Sequence, residues 1–365
     1  MVQLALLGCG RIGKVHAESI AAHPQAELTW VCDPMEEAAR SLAGRYGATA
    51  GRDVDAVLAD RRVDAVVVAA PTPTHVDLLT RSVRAGKAVL CEKPIDLDLA
   101  RVDACWRQIA GAGPAVMVGF NRRFDPSFRS MRERVHAGEL GRLEQLSIIS
   151  RDPAPAPRAY IATSGGLFRD MTIHDFDMAR YFLGEVAEVQ AMGANLIADF
   201  IAELGDIDAA VLSLRGANGA LCHITNSRRC AFGYDQRIEA FGERGMLTAE
   251  NTRPTSVRFS GADETEAAAP YLNFFLDRYT DAYRAELDHF LSAIEKGTDP
   301  KPGFADGRAA LALAEAATES LRTGRAVPVG KEPPLSMPAG GSPRPTRSAG
   351  ACCPRRPSAG WPPPR

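Results

Sequence analysis

Residues 4–20, LALLGCGRIGKVHAESI, place Gly8, Gly10 and Gly13 between an apolar run and an amphipathic one. The apolar run predicts a buried strand, and the periodicity of the following residues predicts a helix. Glycines at this spacing, at a turn from a strand into a helix, are typical of a loop that binds a dinucleotide. In such a loop Gly8 makes the tight turn, Gly10 lets the backbone approach a pyrophosphate, and Gly13 allows close packing of the helix. The chain is therefore expected to begin with a cofactor-binding domain.

The same alternation continues to about residue 120. Short β-branched runs such as VDAVVVAAP are followed by amphipathic segments such as THVDLLTRSVRAG. This order predicts buried parallel strands joined by crossover helices. We expect residues 1–120 to form a Rossmann domain, with a doubly wound parallel sheet.

The pattern changes after residue 120. Strand-like stretches follow one another, GANG (216–219) and GERG (242–245) are candidate hairpin turns, and helices are expected near 126–138 and 166–183. Two further helices, each followed by a glycine, end the periodic part of the chain. We expect residues 121–330 to form an α+β domain with a large, mostly antiparallel open sheet. An open apolar face is a natural contact between subunits, so a homo-oligomer, either a dimer or a tetramer, is expected.

The last segment, residues 331–365, has a different composition. Proline, glycine, serine and arginine dominate it, and no apolar periodicity remains. Such a composition predicts a disordered tail, because too little apolar surface is available to form a core. A shifted reading frame in a GC-rich gene would yield the same residue types.

The overall composition argues against several classes of partner. The 365 residues include 43 Lys and Arg and 45 Asp and Glu, with a formal net charge of -2. Interspersed charges of both signs do not favour nucleic acid, and no apolar run is long enough to predict a membrane span. The eight cysteines have no metal-ligand spacing and no HExxH motif occurs, so we expect reduced thiols, no metal and a cytoplasmic location.

An acidic residue follows the second predicted strand. In LTWVCDP, Asp33 lies at the usual distance beyond the glycines, where a carboxylate accepts hydrogen bonds from ribose hydroxyls and repels a 2′-phosphate. The expected cofactor is therefore NAD. The expected contacts come from the glycine loop, Asp33 and the later strand ends, namely Gly8, Gly10, Arg11, Ile12, Gly13, Asp33, Pro71, Thr72, His75 and Glu92.

The order of motifs resembles one known family. GCGRIG, the aspartate, APTPTH (70–75) and EKP (92–94) occur in the order found in the Gfo/Idh/MocA oxidoreductases, and the resemblance covers about the first 330 residues. It implies that Lys93 reaches the reacting oxygen and stabilises developing alkoxide. It also implies that Lys93, Asp170 and His174 form the catalytic group.

A polar set lies in GGLFRDMTIHDFDMARYFLGE (165–185). If residues 166–183 are mainly helical, Asp170, His174 and Asp177 share one face. Oxidation of a secondary alcohol releases a proton as hydride leaves, and an imidazole can accept that proton. We therefore expect His174 to be the base, with Asp170 orienting the ring or stabilising the imidazolium.

The resemblance is strongest to the inositol dehydrogenases of the family. It implies NAD-dependent oxidation of a cyclic polyol. The leading hypothesis is the conversion of myo-inositol to 2-keto-myo-inositol. Another inositol isomer or a pyranose sugar is the alternative substrate, and a non-catalytic NAD-sensing regulator is the alternative class. The implied substrate contacts lie at the candidate catalytic residues and in the second domain, namely Lys93, Asn121, Arg122, Asp152, Asp170, His174, Asp177 and Tyr234.

Overall fold

The first part of the chain forms a sheet whose strands alternate with helices. The structure is a computed structural model, and it describes residues 1–330. The first elements in chain order are β1 (Val2–Leu7), α1 (Arg11–Ala22), β2 (Ala26–Cys32), α2 (Glu36–Tyr46), β3 (Thr49–Gly51), α3 (Val54–Ala59), β4 (Ala65–Val68), α4 (His75–Arg84), β5 (Ala88–Glu92), α5 (Leu99–Ile109) and β6 (Val116–Gly119).

The six strands lie in the order β3-β2-β1-β4-β5-β6, and every neighbouring pair is parallel. Strands β4 and β5 are buried along their whole length, as strands covered on both faces must be. The predicted doubly wound sheet is thus confirmed. From β1 the chain adds strands on one side of the sheet up to β3, and from β4 it adds them on the other side. The carboxyl ends of β1 and β4, where this order changes, form the crevice in which such sheets bind ligands.

A second sheet forms from the following elements. In chain order they are α6 (Pro126–His136), β7 (Leu143–Arg151), α7 (Arg158–Ile161), α8 (Leu167–Asp170), α9 (Thr172–Leu183), β8 (Val186–Ala194), α10 (Asp199–Glu203), β9 (Ala209–Gly216), β10 (Leu221–Ser227), β11 (Asp235–Gly242), β12 (Gly245–Ala249), β13 (Arg258–Phe259), β14 (Ala267–Ala268), α11 (Phe275–Arg278), α12 (Thr280–Lys296), α13 (Phe304–Thr323) and β15 (Val327–Pro328).

The second sheet has seven strands in the order β12-β11-β7-β10-β9-β8-β15. Both expected hairpins are present, because β9 pairs with β10 and β11 pairs with β12, each antiparallel. The pairing of β7 with β10 is parallel, so the sheet is mixed but mostly antiparallel. This parallel pair brings the carboxyl ends of two strands, Arg151 and Ser227, side by side.

The two faces of this sheet differ. Strand β9 alternates buried and exposed residues along its length, and helices α9 and α13 pack on the covered side. On the other side the exposed Met192 lies opposite Val211, and Leu221, Phe241 and Met246 also have exposed side chains. The predicted open face is therefore present and carries apolar side chains.

The two long helices at the end of the described chain pack on elements of the first part of the fold. Helix α12 contacts α1, and α13 contacts β6 as well as β8. The backbone before α13 also joins the parallel sheet, because the Val118 N–H donates to the Pro302 carbonyl oxygen at 2.9 Å. Both helices end at glycines in the left-handed conformation, Gly297 and Gly324, as expected from the sequence. The division of the chain at residue 120 stays a prediction.

The helix expected over residues 166–183 is interrupted. It consists of α8 and α9, separated at Met171, whose φ of -99° and ψ of -58° depart from regular helix geometry. Residues 166–183 are thus mainly helical, as expected, but in two segments. Asp170 ends the first segment instead of lying one turn before His174 on the same helix.

No helix within residues 1–330 is both long and apolar enough to cross a membrane. The predicted disorder of residues 331–365 lies outside the residues that the structure describes.

Candidate active site

The glycine loop has the geometry that a phosphate-binding turn needs. Gly8 has a φ of +107°, and a Cβ atom there would lie 2.5 Å from the Ala69 carbonyl oxygen. A Cβ at Gly13 would lie 2.1 Å from the Gly8 oxygen, whereas one at Gly10 would meet nothing within 4 Å. Only glycine fits at positions 8 and 13. The open space at Gly10 leaves the backbone at the N-terminus of α1 accessible to an anion. These residues fit a dinucleotide pyrophosphate.

Asp33 holds this loop to the end of β2. Its carboxylate accepts hydrogen bonds from the backbone N–H groups of Cys9 and Met35, both at 2.8 Å. A carboxylate has about four lone-pair directions, so these contacts leave acceptor capacity for ribose hydroxyls. Next to the loop, the Arg11 guanidinium lies 5.3 Å from the ring centre of Phe274, while Ile12 is half-buried.

The later strand ends surround the same crevice. Pro71 and Thr72 follow β4, with Thr72 opening a short 3-10 turn. His75 is only 1% exposed, and its ring nitrogens lie 2.8 Å from the Pro94 oxygen and 2.7 Å from the Ala70 oxygen. The structure thus commits the polar atoms of His75 to two backbone carbonyls. His75 thereby joins the two loops, and its contact with the cofactor stays a prediction.

Glu92, at the end of β5, is also buried. One carboxylate oxygen lies 2.8 Å from His16 Nε2, and the other accepts a hydrogen bond from the Lys93 backbone N–H at 3.3 Å. The close fit against Gly119, where a Cβ would lie 3.1 Å from the carboxylate, fixes the direction of the side chain. Glu92 therefore lines the base of the crevice beside Lys93.

Lys93 extends from this strand end toward the second sheet. Its Nζ donates a hydrogen bond to the Asp170 carbonyl oxygen at 2.7 Å and lies 4.0 Å from Asp170 Oδ1. Burial lowers the pKa of the Lys93 ammonium, and the charges of Asp170 and Glu92 oppose this effect. The lysine and the aspartate from distant parts of the sequence thus lie together, as predicted.

Two side chains hold the carboxylate of Asp170. The Tyr160 hydroxyl donates to Oδ1 at 2.8 Å, and the Arg228 guanidinium donates to Oδ2 at 3.0 Å. Arg228 is only 1% exposed. Neither Tyr160 nor Arg228 was identified from the sequence.

His174 lies in the first turn of α9, near Lys93 and Arg122. Burial lowers the pKa of its imidazole well below the ordinary value, and the positive charges of Lys93 and Arg122 lower it further. Its Nδ1 atom is buried and has no hydrogen-bond partner among the described residues. A neutral imidazole with an unpartnered nitrogen can accept a proton.

Asp152 follows β7 and belongs to the same polar group. The pKa of its carboxyl is raised to about 6, mainly by burial and also by the charge of Asp170, while Arg228, Arg122 and Lys93 oppose the rise. Its backbone N–H donates to the Ser227 carbonyl oxygen at 2.9 Å. The parallel pairing of β7 and β10 therefore places Asp152 beside Arg228.

Arg122 lies in the buried part of the site. It donates to Asp175 at 2.6 Å, to the Ser150 hydroxyl at 3.2 Å and to the Tyr234 hydroxyl at 3.3 Å. Tyr234 is buried, and so is Asn121, the residue before Arg122. The expected contacts Asn121, Arg122 and Tyr234 thus lie on the inner side of the second sheet, near Asp152.

Asp177 does not join this group. Both of its oxygens accept hydrogen bonds from Arg123, at 2.8 and 2.6 Å, and Arg123 also pairs with Asp306 at 3.1 Å. Asp177 is 1% exposed. Arg123 therefore compensates its negative charge where α9 packs on α13. Within residues 1–330 no hydrogen bond or ion pair joins Asp177 to Asp170 or Lys93, and its substrate contact stays a prediction. The buried acid that does reach the site is Asp175.

The residues that the sequence interpretation missed share one feature. They are charged or polar groups that contact Asp170, Arg122 or a partner of Arg122, namely Ser150, Tyr160, Asp175, Asn226 and Arg228. The only signal was the position of Arg228 directly after a strand-like run. In residues 1–330 no cluster of His, Cys, Asp and Glu side chains is arranged to hold a metal ion.

Comparison with known proteins connects this geometry with an activity. Residues 2–120 match a family model described as "Oxidoreductase family, NAD-binding Rossmann fold", and residues 128–248 match one described as "GFO/IDH/MocA C-terminal domain". A protein from Rhizobium meliloti named inositol 2-dehydrogenase is 48% identical over 329 residues, which cover 90% of this chain and 99% of the relative.

Solved structures agree with these matches. A myo-inositol dehydrogenase from Corynebacterium glutamicum superposes with a TM-score of 0.88 at 53% identity, covering 91% of this chain and 99% of that protein. A scyllo-inositol dehydrogenase from Lactobacillus casei, solved with bound NAD(H) and scyllo-inositol, has a TM-score of 0.83 at 28% identity, covering 90% of this chain and 99% of that protein.

Proposed function

The chain belongs to the GFO/IDH/MocA family of NAD-binding oxidoreductases, and from this membership we propose that it oxidises myo-inositol to 2-keto-myo-inositol. Its activity is that of an NAD-dependent dehydrogenase. The observation that carries the proposal is the convergence of Lys93, Asp170 and His174 beside the glycine loop.

The proposed chemistry divides between two side chains. NAD, when bound, supplies the hydride acceptor. Lys93 donates a hydrogen bond to the reacting oxygen and stabilises the negative charge that develops there. His174 accepts the hydroxyl proton as the carbon–hydrogen bond breaks and the carbonyl forms, and its low pKa keeps the ring neutral before the reaction.

Asp170 supports both partners in this proposal. Its carbonyl oxygen holds the Lys93 ammonium at 2.7 Å, and its carboxylate compensates part of the positive charge of the site. Because Tyr160 and Arg228 occupy one oxygen each, we assign Asp170 to charge compensation and orientation. The proton acceptor is His174.

A cyclic polyol suits the remaining polar groups. Asp152 and Tyr234 bring acceptor and donor atoms to the same side of the sheet, and Arg122 fixes the tyrosine hydroxyl. A site with many paired donors and acceptors discriminates strongly against analogues that lack a hydroxyl. Support for an inositol also comes from the relatives' names, of which one refers to the scyllo isomer.

We also propose a homo-oligomer and a cytoplasmic location. Support for the oligomer is the exposed row of Leu221, Phe241 and Met246 on the open sheet, where cross-strand pairing aligns Leu221 with Gln145 and Gln145 with Phe241. Support for the location is that the six cysteines of the described chain are free and buried.

Initial rates of NADH formation on a panel of polyols test the proposal. The panel contains myo-inositol, scyllo-inositol, D-chiro-inositol and glucose at a fixed NAD concentration and mildly alkaline pH. We expect the highest kcat/KM on myo-inositol. A preference for another member would replace the substrate, and tight NAD binding without turnover on any polyol would favour the regulator instead.

A further inference from the structure

Arg228 is a buried cation outside the residues assigned to the reaction. It directly follows β10, and its side chain is 1% exposed. The guanidinium lies 3.0 Å from Asp170 and 3.6 Å from Asp206. A buried guanidinium is tolerated where carboxylates compensate it, and the removal of one partner of such a pair is strongly destabilising.

The contact with Asp170 has a definite geometry. Arg228 binds one carboxylate oxygen, and the Tyr160 hydroxyl binds the other. Rotation of the carboxylate would break both hydrogen bonds, so its plane is fixed. The Asp170 carbonyl oxygen then receives the Lys93 ammonium, which means that the residue held by Arg228 also aims the lysine.

The ionisable groups around Asp170 include a second carboxylate, so a neighbouring cation compensates negative charge there. The ionisable groups that face Asp170 are Tyr160 from α7, Lys93 from the end of β5, Asp152 from the end of β7 and Arg228 from the end of β10. Two carboxylates, Asp152 and Asp170, thus lie close together in a buried site. Beyond them, Arg122 acts on Asp152 and His174, and Asp206 faces Arg228 from the opposite side.

We propose that Arg228 is a positioning residue that fixes the orientation of the Asp170 carboxylate beside Lys93. This inference rests on the proposed function, since it assumes that Asp170 and Lys93 act on the substrate. Arg228 itself acts through Asp170 and needs no contact with the substrate.

The expected effect is on the rate of the reaction. In an Arg228→Met variant the Asp170 carboxylate loses one of its two hydrogen-bond donors, so its orientation beside Lys93 is no longer fixed. Misplacement of a group in an active site costs up to about 100-fold in rate. We therefore expect kcat to fall by about 10-fold to 100-fold.

The test compares kcat and the KM for NAD, with myo-inositol as the substrate, in wild type and Arg228→Met. Arg228→Lys keeps a charged donor for the carboxylate and should recover most of the wild-type kcat. Arg229→Met is the matched control, because Arg229 is the adjacent residue and is exposed; it should behave as wild type. The KM for NAD should be unchanged in all three variants.

Tyr160→Phe provides a second route if Arg228→Met fails to fold. Tyr160 is 51% exposed, so its hydroxyl can be removed without a cavity in the core. The variant removes the other hydrogen bond to the Asp170 carboxylate and should lower kcat by a smaller factor, again with an unchanged KM for NAD. Wild-type kcat in both Arg228→Met and Tyr160→Phe, or an equal loss of kcat in Arg228→Lys and Arg228→Met, would overturn the inference. An inactive wild-type enzyme would instead overturn the proposed function.

Discussion

At the scale of single residues, Lys93 and His174 carry the proposed chemistry. The burial of both groups strengthens their interactions with a reacting oxygen, because water does not screen them. Lys93→Met and His174→Gln should each lower kcat by about a hundredfold or more while leaving NAD binding intact. Stopped-flow measurement of NADH formation provides the rates, and fluorescence titration provides the NAD affinity. Lys296→Met, an exposed lysine at the end of α12, is the control and should retain wild-type rates.

Asp33 should determine the choice between NAD and NADP. A carboxylate that accepts ribose hydrogen bonds repels a 2′-phosphate, so Asp33→Ser should raise the ratio of kcat/KM for NADP to that for NAD by about tenfold or more. Steady-state kinetics with both cofactors measure this ratio. Glu18→Ser on the exposed side of α1 removes the same charge elsewhere, and an equal change in that variant would contradict the assignment of Asp33.

Sequence reasoning predicted that Lys93 and Asp170 lie together, but it did not anticipate every contact of the site. Lys93 lies in a motif at a strand end, and strand ends of a parallel sheet meet at one edge whatever the details of packing. The pairing of Asp177 with Arg123 was not anticipated, because helical spacing carries no information about which side chain lies opposite. Arg228 was missed because its contact with Asp170 depends on long-range pairing between strands.

At the scale of elements, helix α12 brings a carboxyl group without a hydrogen-bond partner into the core. Glu286 is 0% exposed, and neither of its carboxylate oxygens has a hydrogen-bond partner within residues 1–330. Burial raises the pKa of Glu286 well above the ordinary value, and the negative charge of Glu92 raises it further. The folded protein therefore retains a proton that the unfolded chain releases.

This linkage predicts a stability that falls as pH rises. Above the ordinary pKa of a glutamate the unfolded state binds fewer protons, so Glu286 should lower the free energy of unfolding by up to about 1.4 kcal/mol per pH unit until it ionises in the folded state. Glu286→Gln should remove this contribution and raise Tm more at pH 8 than at pH 5.5. Calorimetry at pH 5.5 and pH 8 measures the two Tm values. Glu295→Gln, an exposed position on the same helix, is the control. Equal pH dependence in Glu286→Gln and wild type would contradict the prediction.

The elements of the parallel sheet were predictable, whereas part of the second sheet was not. Buried runs bounded by turn residues identify strands such as β4 and β5 without knowledge of their partners. Hairpins between consecutive strands were also predictable, because the turn residues lie between them. The parallel pairing of β7 with β10 joins strands far apart in sequence, and no local pattern encodes it.

At the scale of the whole molecule, the open sheet should join subunits. Its exposed side presents Met192 opposite Val211, beside the apolar row already described, and apolar patches of this kind mark contacts. Sedimentation velocity should show a dimer or a tetramer for the wild type and smaller species for Val211→Lys. Val257→Lys is the control, because Val257 is equally apolar and exposed but lies outside the second sheet. A wild-type monomer would contradict the oligomer.

The central claim is that a hydride leaves an inositol carbon in a site built by Lys93 and His174. Its most direct test uses myo-inositol deuterated at C2, with NMR and mass spectrometry of the NADH formed. The account predicts one deuterium at C4 of the nicotinamide, together with 2-keto-myo-inositol, and the same transfer slowed by about a hundredfold or more in Lys93→Met. NADH without deuterium, or transfer at the wild-type rate in the Lys93→Met variant, would contradict it.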